Sequence, residues 1–208
     1  MSETVPDTPR FTGADVETVE TEVLQDGFFS LECRHFKHRR FDGSISPVLT
    51  REVHVRHDAV GIILYDPARD AVVLVEQCRA GALNDPVTPW LIEPVAGLVD
   101  KDESLEDVAR REAEEEAGCS VSEVIRLYSY YPSPGACTER VTLFCALIDS
   151  APIGGVHGLA DEGEDIQVHV IAFPAAWEMM MAGRLNNAMA IIGMQWLSRE
   201  RASLRARS

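Results

Sequence analysis

The chain has 208 residues, 46% hydrophobic and 25% charged, with a formal net charge of −15. This length suits one large domain, or a domain with a small appendage, and is enough to bury a sizeable core. The charge argues against a broad electrostatic grip on nucleic acid, and a small anionic substrate would need local arginines or a bound cation.

The opening stretch MSETVPDTPRFTG is acidic and has no apolar stretch, so it reads as a loose arm rather than a secretory leader. Residues 16–57 then alternate polar and apolar through VETVETEVL, FFSLECRHF and VLTREVHVR, the period of antiparallel strands. Asp26-Gly27 and Asp42-Gly43 fall between these runs as turn signals. The predicted organisation is a small N-terminal β domain over 1–57 and a main domain over 58–208. Arg34, Lys37, Arg39 and Arg40 form a basic cluster in the first of these, read as a solvated strand face. Phe28 and Phe29 adjoin on a predicted strand, so only one can face inward.

The pattern changes near residue 58. AVGIILYD and AVVLVEQC are almost continuously apolar and are joined by the turn PARD, as expected of strands covered on both faces. WLIEPVAG reads as a shorter strand leading into Gly97, and an acidic helix follows. VSEVIRLYSYY and ERVTLFCALID are strands on either side of PSPGACT, and GGVHGLADEGED is a glycine-rich acidic loop before the strand IQVHVIAF. Pro174 suits the first turn of a helix, and Asn186 or Asn187 can cap the last one, with Ile191, Ile192 and Trp196 on its buried side. The fold class is α/β (α+β), a mixed sheet with helices packed against it. No apolar run is long enough to span a membrane. The five cysteines form no CxxC pair and mostly sit in apolar runs, which suits a reducing, cytoplasmic setting.

The acidic helix lies within Gly97–Gly118, where nine carboxylates face three basic side chains. Ser104 is the expected N-cap, with Asp107 in the capping-box position, and Gly118 the expected C-terminal stop. Leu105, Val108, Ala109, Ala113 and Ala117 recur at helical spacing and pack inward. That fixes Glu112 and Glu116 side by side one turn apart, with Glu115 on the border of the same surface and Arg111 placed to pair with it. An exposed like-charge pair at this spacing costs only about 0.2–0.5 kcal/mol, so a solvated acidic helix would also be tolerated. The preceding strand and glycine loop expose backbone carbonyls beside the pair. Hard oxygen donors of that kind suit Mg2+ or Mn2+, and no His or Cys cluster favours zinc.

Gly97, Glu103, Arg111-Glu112, Ala113, Glu115-Glu116 and Gly118-Cys119 match, at every spacing, the signature of the Nudix hydrolase family. The chain also resembles the ADP-ribose pyrophosphatase branch in YYPSPGACTER, where Pro134 lies fifteen residues beyond the signature, and in VHGLADEGEDIQVHV and VEQCRAGAL. It departs from that branch at Ala136-Cys137, where a glycine and a hydroxyl residue are expected. The resemblance implies a Nudix fold and Mg2+-dependent cleavage of ADP-ribose to AMP and ribose 5-phosphate by water attack at phosphorus. It implies that Glu112, Glu116, the Ala96 carbonyl and Glu164 hold more than one Mg2+ ion. Glu162 takes the position of the family's catalytic base, with His157 as its rival. Glu103 has a supporting place, while Glu115 is either a ligand or a partner of Arg111.

On the same resemblance, Arg79 contacts phosphate. Phe28, Phe29, Arg51 and Glu52, helped by Arg56, grip the adenine across a subunit boundary, which implies a homodimer with shared active sites. Ser133, Pro134, Gly135 and Glu139 line the terminal ribose, and Leu98 meets the substrate through its backbone. Three rival readings remain: cleavage of another nucleoside diphosphate sugar such as GDP-mannose or of a dinucleotide, an ADP-ribose-binding sensor without catalysis, and an acidic scaffold. The signature is complete and no basic helix-turn-helix segment is present, which counts against the sensor. Neither nucleic acid nor membrane is an expected partner.

Overall fold

The computed structural model describes residues 8–100, 102–159 and 163–206. Two compact units emerge, one running to Arg56 and including Ser133–Glu139, the other comprising His57–Pro132 and the chain from Arg140 onward.

The smaller unit is an antiparallel sheet in the order β1 (Val16–Asp26), β2 (Ser30–His38), β3 (Leu49–Val55). Phe28 and Phe29 lie in the bend between β1 and β2, not on a strand as predicted. Asp26 ends β1, and its carboxylate accepts the Ser30 hydroxyl across the bend at 3.0 Å, closing the turn around Gly27. Residues 133–139 join this unit through a parallel bridge between His54 and Cys137, with the His54 N–H on the Ala136 carbonyl and the Thr138 N–H on the His54 carbonyl.

The larger unit is built on β4 (Ala59–Asp66), β5 (Ala71–Cys78), β6 (Trp90–Glu93), β7 (Val95–Leu98), β8 (Ile125–Tyr130), β9 (Val141–Leu147), β10 (Gly155–His157) and β11 (Ile166–Ala172). The sheet order is β10-β11-β5-β4-β9-β8, with β6 paired to β5 and β7 to β4, and β4 parallel to β9. The helices are α1 (Leu105–Ala117), α2 (Phe173–Met181) and α3 (Ala188–Arg205). Strand alternation sends Val60, Ile62 and Leu64 of β4 into one core with Val108, Ala109, Ala113 and Ala117 of α1. Ile63 and Tyr65 go to the opposite core with Phe173 and Ala176 of α2 and Met194 and Leu197 of α3. With both faces covered, continuous apolarity in β4 is what burial requires.

WLIEPVAG is two strands rather than one. Pro94 has no N–H to give a ladder, and the chain changes neighbour there, from β5 to β4. In α3, Asn187 is the N-cap, accepting the Ala190 N–H, but the predicted buried side is out of phase. Ala190, Gly193, Met194 and Leu197 face the core, Ile192 and Trp196 flank it, and Ile191 is 40% exposed. Gly193 explains the phase, because a Cβ there would lie 2.5 Å from the Ile63 side chain; the helix approaches β4 along that line. Among the cysteines, Cys119 and Cys145 are buried, Cys33 and Cys137 half-buried and Cys78 exposed. Among the described residues, no helix is long and apolar enough to cross a membrane.

Candidate active site

In the larger unit the acidic signature is organised by α1. The Ser104 hydroxyl accepts the Asp107 N–H and donates to the Asp107 carboxylate, so the predicted cap is present. At the other end Gly118 is left-handed, with φ 59°, and the Cys119 N–H closes on the Ala113 carbonyl. Between these caps the alanine and valine face is packed, and the carboxylates follow on the adjoining face.

Glu116 is only 3% exposed. Its Oε2 accepts the Ala96 N–H at 3.0 Å, and its Oε1 lies 3.4 Å from the Gln77 amide nitrogen. Burial pushes its carboxyl up to about 8; the Ala96 N–H and Arg79 lower it, while Glu112 and Glu164 raise it. Burial also raises the Glu112 carboxyl, partly offset by Arg111 and reinforced by Glu115 and Glu164. Glu112, Glu116 and Glu164 thus share one electrostatic neighbourhood, although Glu164 comes from the far loop.

Arg111 orders the helix surface. Its Nη1 donates to Glu112 at 2.7 Å and to Glu115 at 3.1 Å, and its Nε donates to Glu103 at 3.2 Å. Glu115 and Glu103 are therefore both partners of Arg111 in this structure. Gly97 lies opposite Val60 in the sheet and directly beneath Glu112; a Cβ there would coincide with the Glu112 carboxylate. Only glycine leaves space for that side chain.

These donors fit a hard divalent cation. Two adjacent carboxylates, one of them buried and reluctant to ionise alone, gain most from a positive ion replacing the proton. Among the described residues no three His, Cys, Asp or Glu side chains already converge as a ligand cage. Glu112 is turned to Arg111, Glu116 to Ala96, and Glu164 accepts the Leu159 N–H at 3.0 Å. At Glu116 the Ala96 group that bonds is its N–H.

His157 is seated elsewhere, against the cap of α1. A Cβ on Gly118 would lie 2.7 Å from its Cε1, and its Nε2 is 3.0 Å from the Gly154 carbonyl. Glu162 lies outside the described residues. Arg79 follows β5 and gives its Nε to Glu93 at 2.5 Å. Leu98 ends β7 opposite Ala59. Sequence reasoning missed Gln77 and Glu93, and read Asn187 only as a helix cap. The available signal was a lone polar residue inside an apolar strand, as at Glu93 in WLIEP.

In the smaller unit the Arg56 guanidinium lies 4.6 Å from the centre of the Phe29 ring and pairs with Glu139 at 3.3 Å. Phe29 also meets the His54 ring edge-on, and Phe28, 81% exposed, packs against Phe29. Arg51 and Glu52 are neighbours on β3 and so point to opposite faces; Glu52 shares its face with His54, while Arg51 stands opposite Arg34. Ser133, Pro134 and Gly135 form an exposed turn in which the Ser133 carbonyl accepts the Ala136 and Cys137 N–H groups. The hydroxyl missing at Cys137 has a neighbour at Thr138, whose Oγ1 accepts the Arg56 N–H at 2.9 Å.

A family model described as NUDIX domain matches residues 55–202. The chain is 45% identical to an ADP-ribose pyrophosphatase of Haemophilus influenzae over 197 residues, covering 93% of this chain and 91% of that protein. It is 44% identical to an ADP-ribose pyrophosphatase of Escherichia coli strain K12 over 191 residues, covering 92% and 91%. A GDP-mannose pyrophosphatase of Enterobacter sp. strain 638 is 36% identical over 183 residues, covering 88% and 94%.

Proposed function

The chain belongs to the Nudix family, and from that premise we propose that it hydrolyses ADP-ribose to AMP and ribose 5-phosphate with Mg2+ as the cofactor. The observation that carries this reading is Glu116, a carboxylate buried one helical turn from Glu112 and within the field of Glu164. Such a cluster is poorly stable without a cation and well matched to one. The greater identity to ADP-ribose pyrophosphatases than to a GDP-mannose pyrophosphatase favours ADP-ribose among the nucleoside diphosphate sugars.

On this reading Glu112, Glu116, Glu164 and the Ala96 carbonyl hold the metal, at more than one ion per site. When bound, Mg2+ neutralises the diphosphate and makes water a better nucleophile. Arg111 keeps Glu112 and Glu115 in place through the bonds described above. Arg79 meets a phosphate oxygen with its outer nitrogens, and Glu162 accepts the proton of the attacking water. A new bond forms from the water oxygen to phosphorus, the bond from phosphorus to the bridging oxygen breaks, and that oxygen leaves on the second phosphate. Phe28, Phe29, Arg56 and Glu52 offer an aromatic and charged surface suited to adenine, with Arg51 on the reverse face of the strand.

Incubation with ADP-ribose and Mg2+ in oxygen-18 water tests the reaction. AMP and ribose 5-phosphate are expected, with the label in one of them and slower turnover of GDP-mannose in parallel. No hydrolysis of ADP-ribose, or faster cleavage of GDP-mannose, would rule the assignment out.

The proposal extends to a homodimer in a reducing cytoplasm, where five free thiols are at home. β1 supports the dimer: all eleven of its residues are exposed, Val16, Val19, Val23 and Leu24 among them, and a three-stranded sheet gains stability by covering such a side. Sedimentation equilibrium should give twice the 23.0 kDa chain mass, and a single-chain mass at micromolar concentration would remove the dimer.

A further inference from the structure

Glu93 ends β6, is 5% exposed and has both carboxylate oxygens engaged. Oε2 accepts Arg79 Nε at 2.5 Å, and Oε1 accepts Asn187 Nδ2 at 2.6 Å. Asn187 has no freedom to turn its amide round, because its Oδ1 caps α3 by accepting the Ala190 N–H at 2.7 Å. The cap therefore sets the oxygen toward the helix and the nitrogen toward Glu93. The Arg79 backbone is tied as well, its N–H to the Pro89 carbonyl and its carbonyl to the Ala82 N–H.

Arginine has five N–H donors, and this arrangement spends one of them. The outer nitrogens make no hydrogen bond to a described residue, and the side chain is 38% exposed. A buried carboxylate is costly unless its oxygens are satisfied, and only Arg79 and Asn187 bond to this one among the described residues. The charge of Arg79 acts on Glu116, so the arginine and the acidic helix share one electrostatic neighbourhood.

We infer that Glu93, backed by Asn187, is a positioning residue that holds Arg79 by its inner nitrogen and leaves its outer fork to receive the diphosphate of the substrate. The inference rests on the proposed ADP-ribose hydrolysis. It ties the first turn of α3 to substrate binding, although α3 itself carries no residue expected to touch substrate. A fork presented in a fixed orientation binds a phosphate oxygen pair with less ordering cost than a free side chain.

The test is steady-state hydrolysis of ADP-ribose with Mg2+ by the wild type, Glu93→Gln, Arg79→Ala, the double variant and Asn187→Ser. Glu93→Gln should raise KM about tenfold with kcat within about threefold, because binding rather than chemistry loses its support. In the Arg79→Ala background the same change should leave KM where it was, since the two residues act as one unit. Asn187→Ser keeps a good cap and loses the donor to Glu93, so KM should rise about threefold with an unchanged melting temperature. A plain structural staple predicts the reverse: a lower melting temperature, KM unmoved in the single variants, or effects that multiply in the double variant. Any of these overturns the inference. A wild-type protein without hydrolysis overturns the proposed activity and the inference with it, whereas an active wild type with multiplying effects overturns the inference alone.

Discussion

Replacing Glu116 by glutamine is expected to lower kcat by about a thousandfold or more and, at the same time, to raise the melting temperature of the metal-free protein. The two effects share one cause. The carboxyl titrates near 4.5 in the unfolded chain and near 8 in the folded one, because burial outweighs the help of the Ala96 N–H. Below about pH 4.5 both states are protonated and the group costs nothing. As pH rises toward 8 the unfolded chain releases its proton while the folded chain retains it, so stability falls through that window. Each tenfold difference in proton affinity between the two states is worth about 1.4 kcal/mol, so the penalty amounts to a few kcal/mol at pH 8. Glutamine escapes it, and the Ala96 N–H keeps an acceptor.

A cation that replaces the proton removes the same penalty, so Mg2+ should raise the wild-type melting temperature more at pH 8 than at pH 6. The glutamine variant should gain little. Glu112→Gln should behave alike, with a smaller gain in stability, because its carboxyl is also raised by burial but compensated by Arg111. Scanning calorimetry with EDTA and with Mg2+, beside steady-state kinetics, reads both quantities. Near-wild-type turnover in either variant, or equal Mg2+ stabilisation of variant and wild type, would end the metal assignment.

Glu162→Gln is expected to cost about 10²–10⁴ in kcat, the usual worth of a general base, and far more than His157→Ala or Glu164→Gln. The position of His157 makes the contrast sharp. Its ring covers the left-handed cap at Gly118 and its Nε2 is taken by the Gly154 carbonyl, so it anchors the loop to the end of α1. Removing it should loosen the loop and slow turnover less than about tenfold. Glu164 is fastened through the Leu159 N–H beside Gly158, where a Cβ would press on the Glu164 side chain. The pH profile of kcat gives a second readout, because loss of the base should abolish the acidic limb. A His157→Ala variant slower than Glu162→Gln would show that the base had been misassigned.

The acidic helix was legible because two local rules fix it. Helical period decides which acids share a face, and Ser104 and Gly118 mark its ends. The buried strands β4 and β5 were legible for the same reason, since continuous apolarity between turns allows few alternatives. The phase of α3 was not, because almost every residue from Ala188 to Leu197 is apolar enough for either side. The close approach of Gly193 to Ile63, a tertiary fact, decided it. The placement of Phe28 and Phe29 followed the turn chemistry of Asp26-Gly27 rather than the alternation around it. Residues 133–139 joined the N-terminal strands through a bridge between His54 and Cys137, a pairing that no short-range pattern announces. Glu93 was visible only as an oddity, a lone acid in an apolar strand, until its two partners gave it a purpose.

The change of partner at Pro94 bears on how this protein can vary over time. β4 and β5 pair only over Leu64–Asp66 and Ala71–Val73, then separate so that β6 and β7 fill the gap. Ala96, Gly97 and Leu98 are therefore counted from a fixed wedge, and removing either Val95 or Ala96 would turn Gly97 and Leu98 to the opposite faces together. The neighbouring segment 83–88 carries no such count. Related chains should accordingly show gains and losses of length there while keeping the spacing from the proline to the acidic helix intact.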